Sequence, residues 1–293
     1  MANTESGWIL HDGNAAYFTC PLFDEAGVPH LFSTRKGGVS EGCYASWNFA
    51  AGTGKVPDSE ERVLENYEIA ARLFGLRRED VCRTYQAHTD VVRTVGEPER
   101  GVGTSKPKFP FGVDGLVTKT PGLLLSVRTA DCVPILLADP ENKVCAAVHA
   151  GWRGTASRIA ENAVKEMCLQ GAKKETILAA IGPCIGKECY QVGQDVYDAF
   201  LASFRSGNAF FSPDGGTEEP KYLLDLASAN RAVLLDAGVK EAQISVSGLC
   251  TKCHPEWFFS HRASGPDRGT MSAFIALPDK DRPNPMLRRN DRT

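Results

Sequence analysis

No run in the 293 residues approaches the roughly 20 consecutive apolar residues that cross a bilayer, so no membrane span is expected. The opening M-A-N-T-E-S-G-W-I-L lacks the basic start and apolar core of a secretory leader. Charge of one sign is missing too. Against 33 Lys and Arg stand 36 Asp and Glu, a formal net charge of -3, which offers nucleic acid or an anionic surface no obligatory hold. Histidine is scarce, with six in all. Cysteine is not: there are ten. In a chain without a leader they are expected to be reduced thiols in the cytoplasm, not a disulfide framework. Apolar residues make up 42% and charged residues 24%, ordinary for a globular chain able to bury a core.

Strand-like and helical segments mix without strict alternation, and neither a repeat nor a linker stands out. The expected fold class is α/β (α+β), a single domain over residues 15–278 of mixed β-sheets flanked by helices, with 1–14 and 279–293 as loose termini. Asp58 to Glu61 has the D-x-x-E form of a capping box, followed by Val63, Leu64, Tyr67, Ala70, Leu73 and Phe74 at helical spacing and closed by Gly75. Val81 to Gln86 reads as a strand delivering Ala87-His88-Thr89. Residues 96–112 form a long Gly/Pro/Lys-rich loop of the kind that makes lids. Residues 206–220 also read as a loop. Ile244–Val246, Trp257–Ser260 and Met271–Leu277 read as closing strands.

The most informative stretch is Thr129 to Gly154, T-A-D-C-V-P-I-L-L-A-D-P-E-N-K-V-C-A-A-V-H-A-G-W-R-G. Two apolar runs, Val133–Ala138 and Val144–Val148, flank the turn formers Asp139-Pro140-Glu141-Asn142-Lys143, which predicts a β-hairpin. Cys132 and His149 lie about equally far from the turn, so antiparallel pairing is expected to set them side by side. With His88 they make a two-His, one-Cys set suited to zinc, and three protein ligands leave a fourth position open for water or substrate. A metal-free Cys132–His149 nucleophile dyad makes the same geometric demand. Asp131 is a candidate for proton transfer or for orienting the site.

Gly151-Trp152-Arg153-Gly154 opens a helical pattern that runs from Ala156 to Met167, so backbone N–H groups and Arg153 are candidates for an anion. Arg35, in the basic glycine loop R-K-G-G-V-S, and Asn48, between Trp47 and Phe49, are further candidates for binding substrate or phosphate. Cys250-Thr251-Lys252-Cys253-His254 matches the haem-attachment pattern, which the missing export signal argues against. C-x-x-C is also half a zinc site, but Cys184 and Cys189 stand at the wrong spacing for a usual ribbon, so it reads as a thiol pair.

T-A-D-C-V-P-I-L at Thr129–Leu136 and H-A-G-W-R-G at His149–Gly154 resemble the YfiH family, once labelled multicopper polyphenol oxidases or laccase-domain proteins. So do D-G-L-V-T at Asp114–Thr118, I-G-P-C-I at Ile181–Ile185 and G-G-V-S at Gly37–Ser40. The resemblance spans Phe32 to Leu277. It implies an α/β fold also compared with cysteine hydrolases, and a zinc ion held by His88, Cys132 and His149. It further implies phosphorolysis of purine nucleosides and methylthioadenosine together with adenosine deamination, with the nucleoside and phosphate as partners. A bacterial branch of the family implies instead a peptidoglycan-editing amidase that removes serine from a muramyl precursor. Two motifs depart from the family: Gln86-Ala87-His88-Thr89 replaces Q-V-H-G, and His261-Arg262-Ala263-Ser264 replaces an R-R-D run. Six scattered histidines cannot supply a multicopper oxidase. A rival of another class is a zinc-stabilised binding protein, whose fourth ligand would be Cys184 or Cys250.

Overall fold

A computed structural model describes residues 2–3, 6–52, 54–215, 219–282 and 285–286. Its centre is two β-sheets stacked face to face. The first has seven strands in the order Ala2–Asn3, Ile9–His11, Tyr17–Thr19, His30–Ser33, Met271–Ile275, Leu124–Thr129 and Val81–Arg83. The second has six: Ile244–Val246, Leu178–Ile181, Val133–Asp139, Val144–Ala150, Gly115–Thr118 and Val92–Thr94. Both are mixed. Val81–Arg83 runs parallel to Leu124–Thr129, and Ile244–Val246 parallel to Leu178–Ile181, while most other pairs are antiparallel.

The hairpin strands explain their unbroken apolar runs. Every residue of Val133–Asp139 and Val144–Ala150 is buried. Ile135, Leu137, Ala146 and Val148 turn to one side, toward Ile159, Ala163, Val164 and Met167 of helix Ile159–Leu169 and Val233 of helix Leu226–Asp236. Leu136, Ala138, Cys145 and Ala147 turn to the other, against Phe32, Leu125, Val127 and Ala273 of the first sheet. A strand covered on both faces loses the polar half of its alternation. On the far side of the first sheet, Val63, Tyr67 and Ala70 of helix Glu60–Leu73 pack on Leu31, Leu124 and Phe274. The result is four layers, helix, sheet, sheet and helices, consistent with the α/β class expected from the sequence.

Several expectations change. Within 1–14, residues 8–11 are held in place: Ile9–His11 pairs with Tyr17–Thr19, and fully buried Trp8 donates Nε1–H to Ser245 Oγ at 2.9 Å. Of 279–293, Arg282 is tied to Asp80 at 2.8 Å, and residues 283, 284 and 287–293 lie outside the described residues. The helix cap is Ser59, one residue past Asp58, which is buried and accepts from Asn48. Residues 96–112 are pinned by Arg100, which donates to Asp80, Gly122 O and Pro121 O. Within 206–220, Phe211–Asp214 pairs with Lys221–Leu224, which also pairs with Gln191–Val192, making a small third sheet. Trp257–Ser260 is irregular, not a strand. Among the described residues no helix is long and apolar enough to cross a membrane.

Candidate metal centre

Cys132 and His149 do meet, but not in the register expected. His149 pairs with Pro134 and Ala150 with Val133, so the next rung sets Cys132 against Gly151. Cys132 and His149 are therefore diagonal neighbours on one face rather than direct partners. The position opposite Cys132 needs glycine. A Cβ on Gly151 would lie 2.9 Å from His88 Cδ2 and 3.2 Å from Cys132 Sγ, in the space that lets His88 approach.

His88 arrives on the loop after strand Val81–Arg83 with φ at 59°, a left-handed conformation uncommon for a side chain of this size. Asp114 holds it there. This carboxylate, with no exposed surface, accepts the backbone N–H groups of Ala87, His88 and Thr89 at 3.0, 3.1 and 3.0 Å, and the Thr89 hydroxyl at 2.9 Å. It also accepts His149 Nδ1–H at 2.7 Å, which leaves Nε2 of that ring as the free donor atom. Sequence reasoning named Asp114 only as the first residue of the D-G-L-V-T motif. The available signal was an acidic residue directly before the apolar Gly115–Thr118 strand.

The donor atoms of His88, Cys132 and His149 all lie within 4.8 Å of one another. Cys132 Sγ is 3.9 Å from His88 Nε2. Ligands at ordinary Zn–S and Zn–N lengths around a tetrahedral ion sit about 3.6 Å apart, so the set fits a small thiophilic cation with slight closure. Among the described residues no other His, Cys, Asp or Glu joins the three, and Cys184 and Cys250 do not supply a fourth ligand. The electrostatics favour the ligating form of the sulfur. Burial alone would raise the Cys132 thiol, but the neighbouring charge and hydrogen bonds of His149, with those of His88, bring it down to about 6. Burial would lower His149, yet Cys132 and Asp114 raise it to about 9. Burial works against the Asp114 anion as well, and the hydrogen bond and charge of His149 with the backbone donors hold it at about 2.

The three residues open into a cavity of about 840 Å³ whose wall carries Arg83, Lys108, Arg128, Arg153, Arg262 and Arg268. Tyr85, Trp152 and Tyr190 supply flat apolar surface there. Nε of Arg128 and of Arg268 is buried without a hydrogen-bond partner, an arrangement suited to an anion. Burial lowers the pKa of both guanidinium groups from the ordinary arginine value. Neither residue was singled out from the sequence. Arg128 left a trace, a charge directly after the mostly apolar Leu123–Val127 run; Arg268 left none.

The other candidates separate. Arg153 lines the cavity with its guanidinium 4.1 Å from the Trp152 ring centre. The helix behind it is broken: Trp152–Ala156 ends, Arg158 turns left-handed at φ 61°, and Ile159–Leu169 begins anew. Asp131 also lines the cavity, but both carboxylate oxygens are engaged, accepting Thr251 Oγ1–H and Arg262 N–H at 2.6 Å each. It braces two loops beside Cys132. Arg35 lies outside this cavity, donating to the carbonyls of Ala45 and Pro255 at 3.1 and 3.0 Å and stacking over Phe259. Asn48 is fully buried and outside it as well. Asn48 accepts the N–H of Thr270 and donates to Ala50 O and Asp58, so it shapes the wall without touching its contents.

A family model described as multi-copper polyphenol oxidoreductase laccase matches residues 29–278. A purine nucleoside phosphorylase of Deinococcus radiodurans is 42% identical over 254 residues, covering 87% of this chain and 91% of that protein. Adenosine deaminase RL5, from an unknown prokaryotic organism, is 38% identical over 240 residues, covering 81% of this chain and 90% of that one. The crystal structure of YlmD from Geobacillus stearothermophilus superposes with a TM-score of 0.84 at 33% identity, over 93% of this chain and 99% of its own. Sequence, fold and the extent of the match agree that the chain belongs to the YfiH/YlmD family that carries the laccase label.

Proposed function

We propose that this protein is a zinc-dependent purine nucleoside phosphorylase that also deaminates adenosine and phosphorolyses methylthioadenosine. The observation that carries this reading is one cavity in which a His–Cys–His donor set faces a basic wall. The donor chemistry, one thiolate with two imidazoles and an open position, suits zinc. When bound there, zinc supplies Lewis-acid polarisation and lowers the pKa of a water molecule.

The chain's own residues do the rest. Asp114 fixes the His149 tautomer by accepting Nδ1–H, and it holds the His88 loop in place through three amides. Arg128 and Arg268, each with an unpartnered buried Nε, are the phosphate donors this reading assigns, with Arg153 at the rim. Tyr85, Trp152 and Tyr190 offer faces on which a purine can stack. The relatives named purine nucleoside phosphorylase and adenosine deaminase support the same substrate class.

The Cys132 thiol, held near 6 beside His149, also favours a second reading, a metal-free Cys–His hydrolase. One experiment separates them. Purified wild type and Cys132→Ala are assayed for metal content and for turnover of adenosine with and without phosphate, and of a muramoyl-serine precursor. The proposal expects adenine with phosphate and inosine without it, and a Cys132→Ala protein that holds one zinc fewer and is inactive. Full activity in zinc-free wild type would establish the hydrolase, and release of serine alone would establish an amidase.

A further inference from the structure

A second group of thiols lies outside the centre described above. Cys189 ends the 3-10 turn Lys187–Cys189, and Cys250 and Cys253 belong to the C-T-K-C loop. The three sulfurs lie within 4.8 Å of one another, with Cys189 and Cys253 only 3.4 Å apart. Sulfurs around a tetrahedral zinc ion sit about 3.8 Å apart at ordinary Zn–S lengths, so these separations bracket the required edge. Backbone pairing sets the arrangement. Cys184 N–H donates to Leu249 O at 3.2 Å, and Thr251 N–H to Cys184 O at 2.9 Å, clamping the two loops together. The Cys184 thiol itself is buried and stays out of the group.

The Cys250 sulfur is prepared as an anion by geometry. It accepts Gly186 N–H at 3.2 Å. A backbone N–H donated to a sulfur favours its thiolate form. A cation bound among these sulfurs would displace their thiol protons.

We propose that Cys189, Cys250 and Cys253 form a separate binding site for a thiophilic cation, Zn²⁺ or Cu⁺, that braces the wall of the cavity. Three thiolates select soft cations over oxygen-seeking ones. The loops they join are those that border the centre. Thr251, between the two C-x-x-C sulfurs, donates to Asp131 at 2.6 Å, and Tyr190, next to Cys189, lines the cavity. The site does not rest on the nucleoside reading.

The test counts ions rather than turnover. Wild type, Cys253→Ser, Cys132→Ala and the double variant are purified under reducing conditions. Native mass spectrometry counts the bound ions, and elemental analysis after loading with Zn²⁺ or Cu⁺ names them. Cys132→Ala is expected to keep one equivalent that the double variant lacks, and Co²⁺ loading of Cys132→Ala should give thiolate charge-transfer absorption that disappears with Cys253→Ser. Cys253 is exposed, so Cys253→Ser alone should stay folded and hold one ion fewer than wild type, a comparison that stands even if Cys132→Ala misfolds. Equal ion counts in wild type and Cys253→Ser, with either metal, would overturn the proposal. So would a Cys189–Cys253 disulfide whose reduction restores no uptake.

Discussion

Both histidines of the centre depend on one carboxylate that has no access to water. Asp114 takes one ring by its Nδ1–H and positions the other through the amides of its loop. Replacing it with Asn keeps the shape but removes the charge and points N–H groups at N–H donors. Partners of this kind are typically worth 10–100-fold in metal affinity. Asp114→Asn is accordingly expected to bind zinc about 10–100-fold more weakly in competition with a chelator, with far-ultraviolet circular dichroism confirming that the fold persists. The three residues of the His–Cys–His group were legible because each borders a strand-like run and because their motifs are distinctive. Asp114 was not, since sequence cannot reveal which carboxylate faces a histidine 35 residues further along the chain. Arg35 and Asn48 illustrate the converse. A basic glycine loop and a polar residue between aromatics both suggest ligand binding, yet these side chains spend their hydrogen-bonding capacity on neighbouring backbone.

The hairpin is the element that presents Cys132 and His149, and its far end is secured by Asp139. This buried side chain accepts Asn142 N–H at 3.0 Å, closing the turn, and Lys173 N–H and Thr176 Oγ1–H at 2.8 Å each, tying the turn to the loop before strand Leu178–Ile181. Removing it strands several donors at once. Asp139→Ala is expected to cost about 2–4 kcal/mol. The urea midpoint should fall at unchanged slope. Zinc affinity of the folded protein should hold, because the turn lies at the opposite end of the strands from the ligands. Turn formers and apolar runs made this hairpin readable, but not its register. The expected and observed pairings differ by two residues, a shift that keeps the same side chains on the same face, so periodicity cannot choose between them. The helix after it was misread for a related reason. Ala156, Ile159, Ala160 and Ala163 keep helical spacing across the break at Arg158, and only the backbone shows the left-handed residue.

At the scale of the whole molecule, the four layers rest on pairings between distant parts of the chain. Met271–Ile275 enters the first sheet between His30–Ser33 and Leu124–Thr129, and no local pattern encodes such an order. The α/β class was therefore legible while the stacking of two sheets was not. In the first sheet, His30 is 1% exposed and lies beside the rings of Phe23 and Phe32. Its Nε2 accepts Cys20 N–H at 2.7 Å and its Nδ1–H donates to Val28 O at 2.9 Å, a pattern only the neutral ring can make. Burial lowers its pKa to about 4. Between there and the ordinary histidine value near 6.5 the unfolded chain binds a proton that the folded chain refuses. The stabilisation is thus complete above pH ~6.5 and lost as pH falls toward 4, about 2 kcal/mol of it between pH 7 and 4.5. Other groups also titrate in that window, so the contribution of His30 is the difference between wild type and His30→Gln. Urea unfolding of both proteins at pH 7 and 4.5 should show a fall in stability that is about 2 kcal/mol smaller in the variant. Equal falls would mean that this pocket admits a charged imidazole, and that its packing is looser than the buried ring pairs around His30 require.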